Sequence, residues 1–396
     1  MTTSSDTLGP PRLSLAALFL KFLRFGFLAF GGPVAQIAMI RRALVDEERW
    51  ISSPRFNRLL AVMQALPGPE AHELCVHMGM MARGRIGGLL AGLGFMLPGF
   101  VLMLAAAWLY ERFIAGQSGL TGLLLGVQIV VVAIIIRAVH RIGSHVLEDR
   151  LLWALAIGAF VASLLHAPFW IPLVACGLIY ALEQRPWAGV AIAVAAVFIA
   201  ILFGVYLEVA PPAIAISAEP SPQLAALFIA GLKGGLLTFG GAYTAIPYVR
   251  ADTVGRGWLP DGVFLDGVAL AGVLPAPLVI FGTFTGYVVG GWAGALALTA
   301  GIFLPAFAFS MVLFNHLEAV VENPALHRLL AGVAAAVVGV IAATSLQLAW
   351  TTAQSAPTWW IAGLIFIAAL IAAVRIKPRW TPILILSGAV AGQLVL

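Results

Sequence analysis

The sequence contains very little charge. Only 10% of its 396 residues are Asp, Glu, Lys or Arg, whereas 62% are hydrophobic. Soluble domains carry about a quarter charged residues, so this composition excludes an ordinary soluble domain. Apolar runs long enough to cross a bilayer recur along the chain, and strands that alternate apolar and polar residues, as in membrane β-barrels, are missing. We therefore predict an all-α polytopic membrane protein.

Cysteine is almost absent as well. Cys75 and Cys176 both lie in apolar segments, which favours buried side chains. They form neither a disulfide framework nor a metal-type pair, so we expect no metal and no cofactor. The net charge of +5 comes from basic residues dispersed in short loops, and no nucleic-acid partner is expected. Residues 1–12 lack the order of a signal peptide and are predicted to be a loose tail.

An internal repeat is the strongest signal in the sequence. The segment Leu15–Phe19 recurs residue for residue as Leu224–Phe228. Further matches follow in the same order with two single-residue slips: Arg24 with Lys233, Phe30-Gly31-Gly32 with Phe239-Gly240-Gly241, Pro67-Gly68-Pro69 with Pro275-Ala276-Pro277, and Gly87 with Gly294. We predict two homologous halves, residues 13–207 and 223–396, joined by a periplasmic linker at residues 208–222.

The basic loops predict opposite orientations for the two halves. Loops at residues 83–85, 137–150, 185 and 375–379 would be cytoplasmic, which leaves the loop near Gly290 outside. The halves then form an inverted repeat, a recurrent architecture of transporters, and the unmatched span 187–207 supplies the odd crossing. We expect about 10–13 membrane segments in all.

Four of these elements are broken by glycine or proline: residues 13–40, 55–82, 223–249 and 262–290. Each is either an interrupted crossing or a re-entrant pair of half-helices, and the basic excess in residues 41–58 favours the re-entrant form. Irregular backbone at membrane depth is tolerated only beside protein or a water-filled cavity. A break also exposes the N–H groups of the next half-helix, which attract anions.

The breaks therefore predict an anion site near the midplane, with backbone N–H groups as ligands. Its predicted residues, which include a basic residue at the same place in each half, are Arg24, Phe30, Gly31, Gly32, Pro33, Pro67, Gly68, Pro69, Lys233, Phe239, Gly240, Gly241, Pro275, Ala276 and Pro277. A charge within the membrane is by default a functional hypothesis. The alternatives are snorkelling or ion pairing for Arg24 and Lys233, and close helix packing for the glycines.

Acidic and histidine side chains form a second cluster. Glu70, Glu73 and His77 would share one helix face, where they could carry protons, pair with arginine, or satisfy the helix dipole. His72 and His77 are five residues apart, whereas zinc-protease ligands are four apart, so a zinc site is excluded. Asp266 aligns with Arg58 of the first half, which makes a cross-repeat ion pair or a coupling role for these residues a further hypothesis.

The order of these motifs resembles the chromate ion transporter family, whose two-domain members carry the pattern twice. The motifs are Phe30-Gly31-Gly32-Pro33, a charged stretch ending in Trp50, Leu66-Pro67-Gly68-Pro69-Glu70, Gly87-Gly88 and Leu97-Pro98-Gly99. The resemblance implies a multi-pass protein of the bacterial inner membrane that exports chromate and confers chromate resistance. A chromate- or sulfate-like dianion, membrane lipid and a second copy of the chain in a homodimer are the expected partners.

Other functions remain open at this point. A transporter of sulfate or another oxyanion would need the same site, because these anions share charge and shape with chromate. A membrane-embedded enzyme could use Glu70, His72, Glu73 and His77, but this cluster has no copy in the second half. A channel is a further alternative, although an inverted repeat within one chain favours alternating access.

Overall fold

The computed structural model describes residues 9–207, 223–239, 242–312, 324–376 and 380–396, and the regular structure in these ranges is helical. The α-helices are α1 (Leu15–Phe27), α2 (Gly32–Arg41), α3 (Ser53–Ala65), α4 (Glu70–Phe113), α5 (Thr121–Val146), α6 (Arg150–Leu164), α7 (Trp170–Ala181), α8 (Pro186–Leu207), α9 (Leu224–Leu236), α10 (Ile246–Thr253), α11 (Asp261–Val273), α12 (Phe281–Val312), α13 (Pro324–Ser355), α14 (Trp359–Arg375) and α15 (Thr381–Val395). The predicted breaks fall between α1 and α2, α3 and α4, α9 and α10, and α11 and α12.

Helix α4 is a hairpin of two helical arms. Arg83 (φ −146°, ψ 31°) and Gly84 (φ 61°, ψ −156°) leave the helical conformation in its middle. A Cβ atom on Gly79 would overlap the backbone of Gly87, whereas eight residues of straight helix would separate these positions by about 12 Å. The chain therefore turns back at Gly84, where a positive φ requires glycine.

The same hairpin occurs at the equivalent place in the second half. Gly290 (φ −142°, ψ 22°) and Gly291 (φ 61°, ψ −153°) interrupt α12 with nearly the dihedral angles of the first copy. Gly286 and Gly294 pack with the same backbone overlap for any added Cβ. These glycines serve close packing, and the repeat that the sequence predicts is present in backbone detail.

The two halves run in opposite directions. Gly122 of α5 packs on Gly392 of α15 and Gly126 packs on Gly388, so these two helices are antiparallel. Helix α15 is the repeat equivalent of α7, and α7 runs parallel to α5 because short loops connect α5, α6 and α7. Antiparallel α5 and α15 therefore place the halves in an inverted arrangement, as predicted.

The first broken element is re-entrant. After the break, α2 and one π-helical turn, Arg42–Glu47, lead to Glu48, which is about 24 Å of helix from Gly32. Glu48 nevertheless forms a salt bridge with Lys21 in the middle of α1. The chain must therefore return along α1 instead of continuing across the membrane.

The second half repeats this geometry with different side chains. Lys233, near the end of α9, pairs with Asp252, near the end of α10, at 2.8 Å. Where Arg41 donates to Ser53 at the start of α3, the equivalent Arg250 forms a salt bridge with Asp261 at the start of α11. Both halves thus fold back at their first break, which supports the re-entrant form for residues 13–40 and 223–249.

The apolar core joins the halves. Its largest cluster contains Val130–Ile135 of α5 together with Phe281 and Phe284 of α12. Among the described residues, four segments are long and apolar enough to cross a membrane: Glu70–Phe113, Thr121–Val146, Leu278–Val312 and His327–Ser355. Large apolar side chains remain exposed on outer helices, for example Val194 and Phe198 of α8.

The linker at residues 208–222 lies outside the described residues, and the domain boundaries stay predictions.

Candidate functional site

The broken elements meet at the centre of the molecule. The Gly68 N–H, in the break before α4, donates to the Thr238 carbonyl in the break after α9 at 2.8 Å. The amide nitrogen of Gln36 donates to the carbonyl of Ala29 at 2.8 Å and to that of Ala276 at 3.0 Å. Carbonyls that the interrupted helices leave unpaired thus find partners across the repeat, as buried backbone groups require.

The N-terminus of α2 is open for an anion. Gly31 (φ 88°) and Gly32 (φ 79°) both have positive φ, and no side chain caps the helix. Pro33 lies in the first turn, where its missing N–H costs nothing. A Cβ atom on Gly32 would meet nothing within 4 Å. The first N–H groups of α2 and the positive end of its dipole are therefore accessible.

A cleft lies in front of this helix end and draws on both halves. It has an empty volume of about 640 Å³, part of which is open to solvent. Gly31, Gly32 and Pro33 line one wall, and another is lined by residues of the second half: Ala271, Gly272, Leu274, Ala276 and Leu278. The hydroxyl-bearing Tyr243 follows the break after α9 and also lines the cleft.

Two arginines of α5 complete the cleft. Arg137 and Arg141 both line it and lie one turn apart on the same helix face. Arg137 also donates to the carbonyl of Ile376 at 3.3 Å. Positive side chains next to an open helix N-terminus are chemically suited to an oxyanion, because guanidinium groups match its geometry with paired N–H donors.

Neither arginine is among the predicted site residues, because both fall in residues 137–150, which are predicted to be a basic cytoplasmic loop. The structure instead places both within α5, beyond the apolar run Val130–Ile136. A basic residue that interrupts a membrane span is itself a functional signal. That signal was available at Arg137.

The arginines occur in only one half. The glycine contacts align α5 with α13 through Gly126 and Gly332, since each packs closely on a helix of the other half. On this alignment Arg137 corresponds to Ala343 and Arg141 to Gln347. The two halves therefore contribute unequally to the cleft, which the sequence had left open.

A larger vestibule adjoins the cleft, with Pro33 and Arg141 lining both. Its wall includes Glu70 and, near the end of α5, His145 and Glu148. It lies at the end of the molecule that carries the basic loops. The positive-inside rule predicts that this end is the cytoplasmic one.

Four of the predicted break residues line the cleft: Gly31, Gly32, Pro33 and Ala276. Phe239 lines the vestibule, and Phe30 is exposed. The remaining described prolines and glycine are buried: Pro67, Gly68, Pro69, Pro275 and Pro277. Gly240 and Gly241 lie outside the described residues. A binding role for these residues stays a prediction.

The predicted basic pair lies elsewhere. Arg24 is exposed on α1. Lys233 pairs with Asp252 and stands 4.0 Å from the ring centroid of Phe169. Neither residue is among those that line the cleft or the vestibule. The ion pair with Asp252 gives Lys233 a structural role in holding α9 to α10. Substrate binding by Arg24 or Lys233 stays a prediction.

The acidic and histidine cluster is buried on the first arm of α4. Glu70, His72, Glu73 and His77 are each less than 9% exposed. Glu70 reaches the vestibule, while His72 packs against the rings of Phe303 and Phe307. Within the described residues, no group of three or more His, Cys, Asp or Glu side chains is placed to hold a metal ion.

Asp266 accepts hydrogen bonds from two neutral side chains. Tyr110 donates to it at 2.7 Å and Gln128 at 3.0 Å. The side chain of Arg58 lies outside the described residues, so the predicted ion pair stays a prediction. Two good donors satisfy the Asp266 carboxylate without a cation.

An inverted repeat of broken helices around a central cleft is the architecture of secondary transporters. The fold and the site thus define a multi-pass membrane transporter. Residues 16–182 and 225–393 each match the family model described as chromate transporter. The chain belongs to the chromate transporter family.

Individual relatives agree with this family. The chain is 56% identical to the chromate transport protein of Pseudomonas aeruginosa, over 98% of this chain and 94% of the relative. It is 30% identical to the chromate transport protein of Cupriavidus metallidurans, over 96% and 93%. A probable chromate transport protein of Synechococcus elongatus is 27% identical, over 96% of each chain. No solved structure matches the chain.

Proposed function

We propose that this protein exports chromate across the bacterial inner membrane by alternating access. The observation that carries the proposal is the cleft, in which the open N-terminus of α2 and the two arginines Arg137 and Arg141 line one space. Such a cleft suits a small tetrahedral dianion. The relatives named as chromate transport proteins make chromate the expected substrate.

The side on which the vestibule opens and the membrane potential both support export as the direction of transport. The vestibule reaches the end of the molecule that carries Glu148 and the basic loops, so a cytoplasmic anion would enter it directly. A potential of 100 mV, negative inside, is worth about 2.3 kcal/mol for each charge that leaves. A dianion that leaves alone gains about 4.6 kcal/mol, and export therefore needs no other source of energy.

The binding role of the arginines can be tested by substitution. Arg137→Ala and Arg141→Ala should each remove a charge-assisted contact worth about 1.5–3 kcal/mol. Chromate affinity should fall about tenfold to 150-fold. Arg85→Ala, which removes an exposed arginine of the α4 hairpin tip, is the matched control and should bind normally. Chromate binding that is unchanged in both cleft variants would contradict the proposal.

Sulfate is the second candidate substrate, since it shares the charge and the tetrahedral shape that the cleft recognises. Counterflow in proteoliposomes separates the two anions. Labelled chromate should be exchanged by unlabelled chromate at lower concentration than by sulfate. Stronger exchange by sulfate would reassign the protein to sulfate transport.

The expected association of two copies of the chain in a homodimer stays a prediction.

A further inference from the structure

Glu73 is a buried carboxylic acid whose oxygens lack partners. The residue has no exposed surface. Neither carboxylate oxygen has a hydrogen-bond partner within the described residues. An ionised carboxylate in such a place is very costly, and the group takes up a proton instead. Glu73 is therefore built to hold a proton rather than a charge.

The carboxyl group lies directly at one of the breaks. A Cβ atom on Gly68 would overlap Oε1 of Glu73, and Gly68 has a φ of 151°. The Gly68 N–H bonds the break of the other half through Thr238. Any rearrangement of these breaks during transport therefore changes the surroundings of the Glu73 carboxyl group.

Few other charged groups lie near Glu73. Its own helix supplies Glu70, the second carboxylate that interacts with it, together with His72 and His77. Helix α12 supplies a neutral hydroxyl, Ser310, which donates to the Glu73 main-chain carbonyl. Helix α3 supplies Arg55, whose positive charge interacts electrostatically with His77.

Among the described residues, the other helices that pack on α4 place no unpaired, buried cation next to Glu73. On α1, Lys21 is paired with Glu48 and Arg24 is exposed. On α2 the buried polar residue is the neutral Gln36. On α11, Asp266 is held by its own donors.

A route for protons leads from the vestibule. Glu70 lines the vestibule, and it precedes Glu73 by three residues on the same helix, so the two side chains lie on one face. The second half has no copy of this arrangement, because Ile280 occupies the position equivalent to Glu73. The acid belongs to the same half as the arginine pair.

We propose that Glu73 carries one proton across the membrane together with each chromate dianion. A dianion in the vestibule lies beside Glu70, and its charge favours the protonated form of the carboxyl groups on this face of α4, so anion and proton bind together. The proton is taken up through Glu70 from the cytoplasmic side and is released outside with the anion. Each cycle then exports a net charge of minus one. This inference rests on the proposed function.

The charge moved per chromate is measurable in proteoliposomes that contain the full chain. A potential of about 59 mV is set with potassium and valinomycin at equal pH on both sides, and labelled chromate is followed to steady state. One net charge supports about a tenfold concentration ratio at this potential, and two charges support about a hundredfold ratio. We expect a tenfold ratio for the wild-type protein.

The variants assign the proton to a residue. Glu73→Gln and the smaller Glu73→Ala cannot be protonated, so either one that folds should reach the hundredfold ratio. Asp266→Asn alters a buried acid that has two donors and should remain at tenfold. A tenfold ratio in the folded Glu73 variants would place the proton on the anion, as hydrogen chromate, and overturn the inference.

Failure of the inference and failure of the proposed function look different. A wild-type protein that moves chromate but reaches a hundredfold ratio refutes proton coupling alone. A wild-type protein that moves no chromate refutes the proposed function. If neither Glu73 variant folds, the wild type still decides whether a proton accompanies chromate: at zero potential, chromate should accumulate about tenfold in the more alkaline compartment per pH unit, and equal distribution would overturn coupling.

Discussion

Gly32→Ala tests the anion-binding helix end most directly. Gly32 has a φ of 79°, and a Cβ atom there would meet no atom within 4 Å. The substitution therefore causes backbone strain of about 1–2 kcal/mol without a steric clash. It also shifts the first N–H groups of α2, so a bound oxyanion loses about one charge-assisted hydrogen bond, worth about 1.5–3 kcal/mol.

The expected result is a chromate dissociation constant raised about tenfold to 150-fold in a protein that remains folded. Gly116→Ala is the matched control, because Gly116 has a φ of 75° and equally open surroundings but lies in the loop after α4. Both variants should lose similar thermal stability in detergent. Only Gly32→Ala should lose affinity.

Two measurements decide the result: chromate binding by calorimetry and the unfolding midpoint in the same detergent. Normal chromate affinity in Gly32→Ala would refute a role for the α2 N-terminus. An equal loss of affinity in Gly116→Ala would show that strain elsewhere in the fold weakens binding, and the α2 N-terminus would then have no specific role in it.

Three further predictions follow from the architecture. Arg83→Cys should react with a membrane-impermeant thiol reagent only from the cytoplasm and Gln117→Cys only from outside; labelling from one side would contradict the topology. Gly388→Ala would overlap α5 and should lower the free energy of unfolding by about 1–3 kcal/mol in chemical denaturation. The hydrogen bond from Tyr180 lowers the pKa of Asp149, the N-cap of α6, below its usual 3.8. Asp149→Ala should therefore cost about 1 kcal/mol at neutral pH, and the difference in unfolding midpoint should vanish as the pH falls through that lowered pKa; a difference that persists in acid would contradict the cap.

The breaks could be predicted from sequence because glycine and proline disturb helices locally. Gly31, Gly32 and Pro33 interrupt an apolar run, and their conformational preferences act within a single turn. The repeat multiplied this signal, since the same residues recur in the second half. The inverted arrangement followed from loop charges, which are also local.

The arginines of the cleft and the partner of Lys233 could not be predicted in the same way. Arg137 and Arg141 lie beside the α2 N-terminus only because α5 packs between elements of the other half. In the sequence, Lys233 is an unpaired charge in an apolar segment and therefore suggests a binding site. In the folded chain, the turn after α9 places Asp252 next to it. These are consequences of long-range packing, which spacing along the sequence does not encode.

The close glycine contacts between helices of different halves have a consequence for biosynthesis. Gly126 of α5 packs on Gly388 of α15, which is synthesised more than two hundred residues later. At ribosomal rates of about 5–20 residues per second, α5 waits about 10–50 s for this neighbour. During that interval its small-residue face is covered by lipid or by the insertion machinery. Assembly of the first half therefore ends only when the last helix enters the membrane.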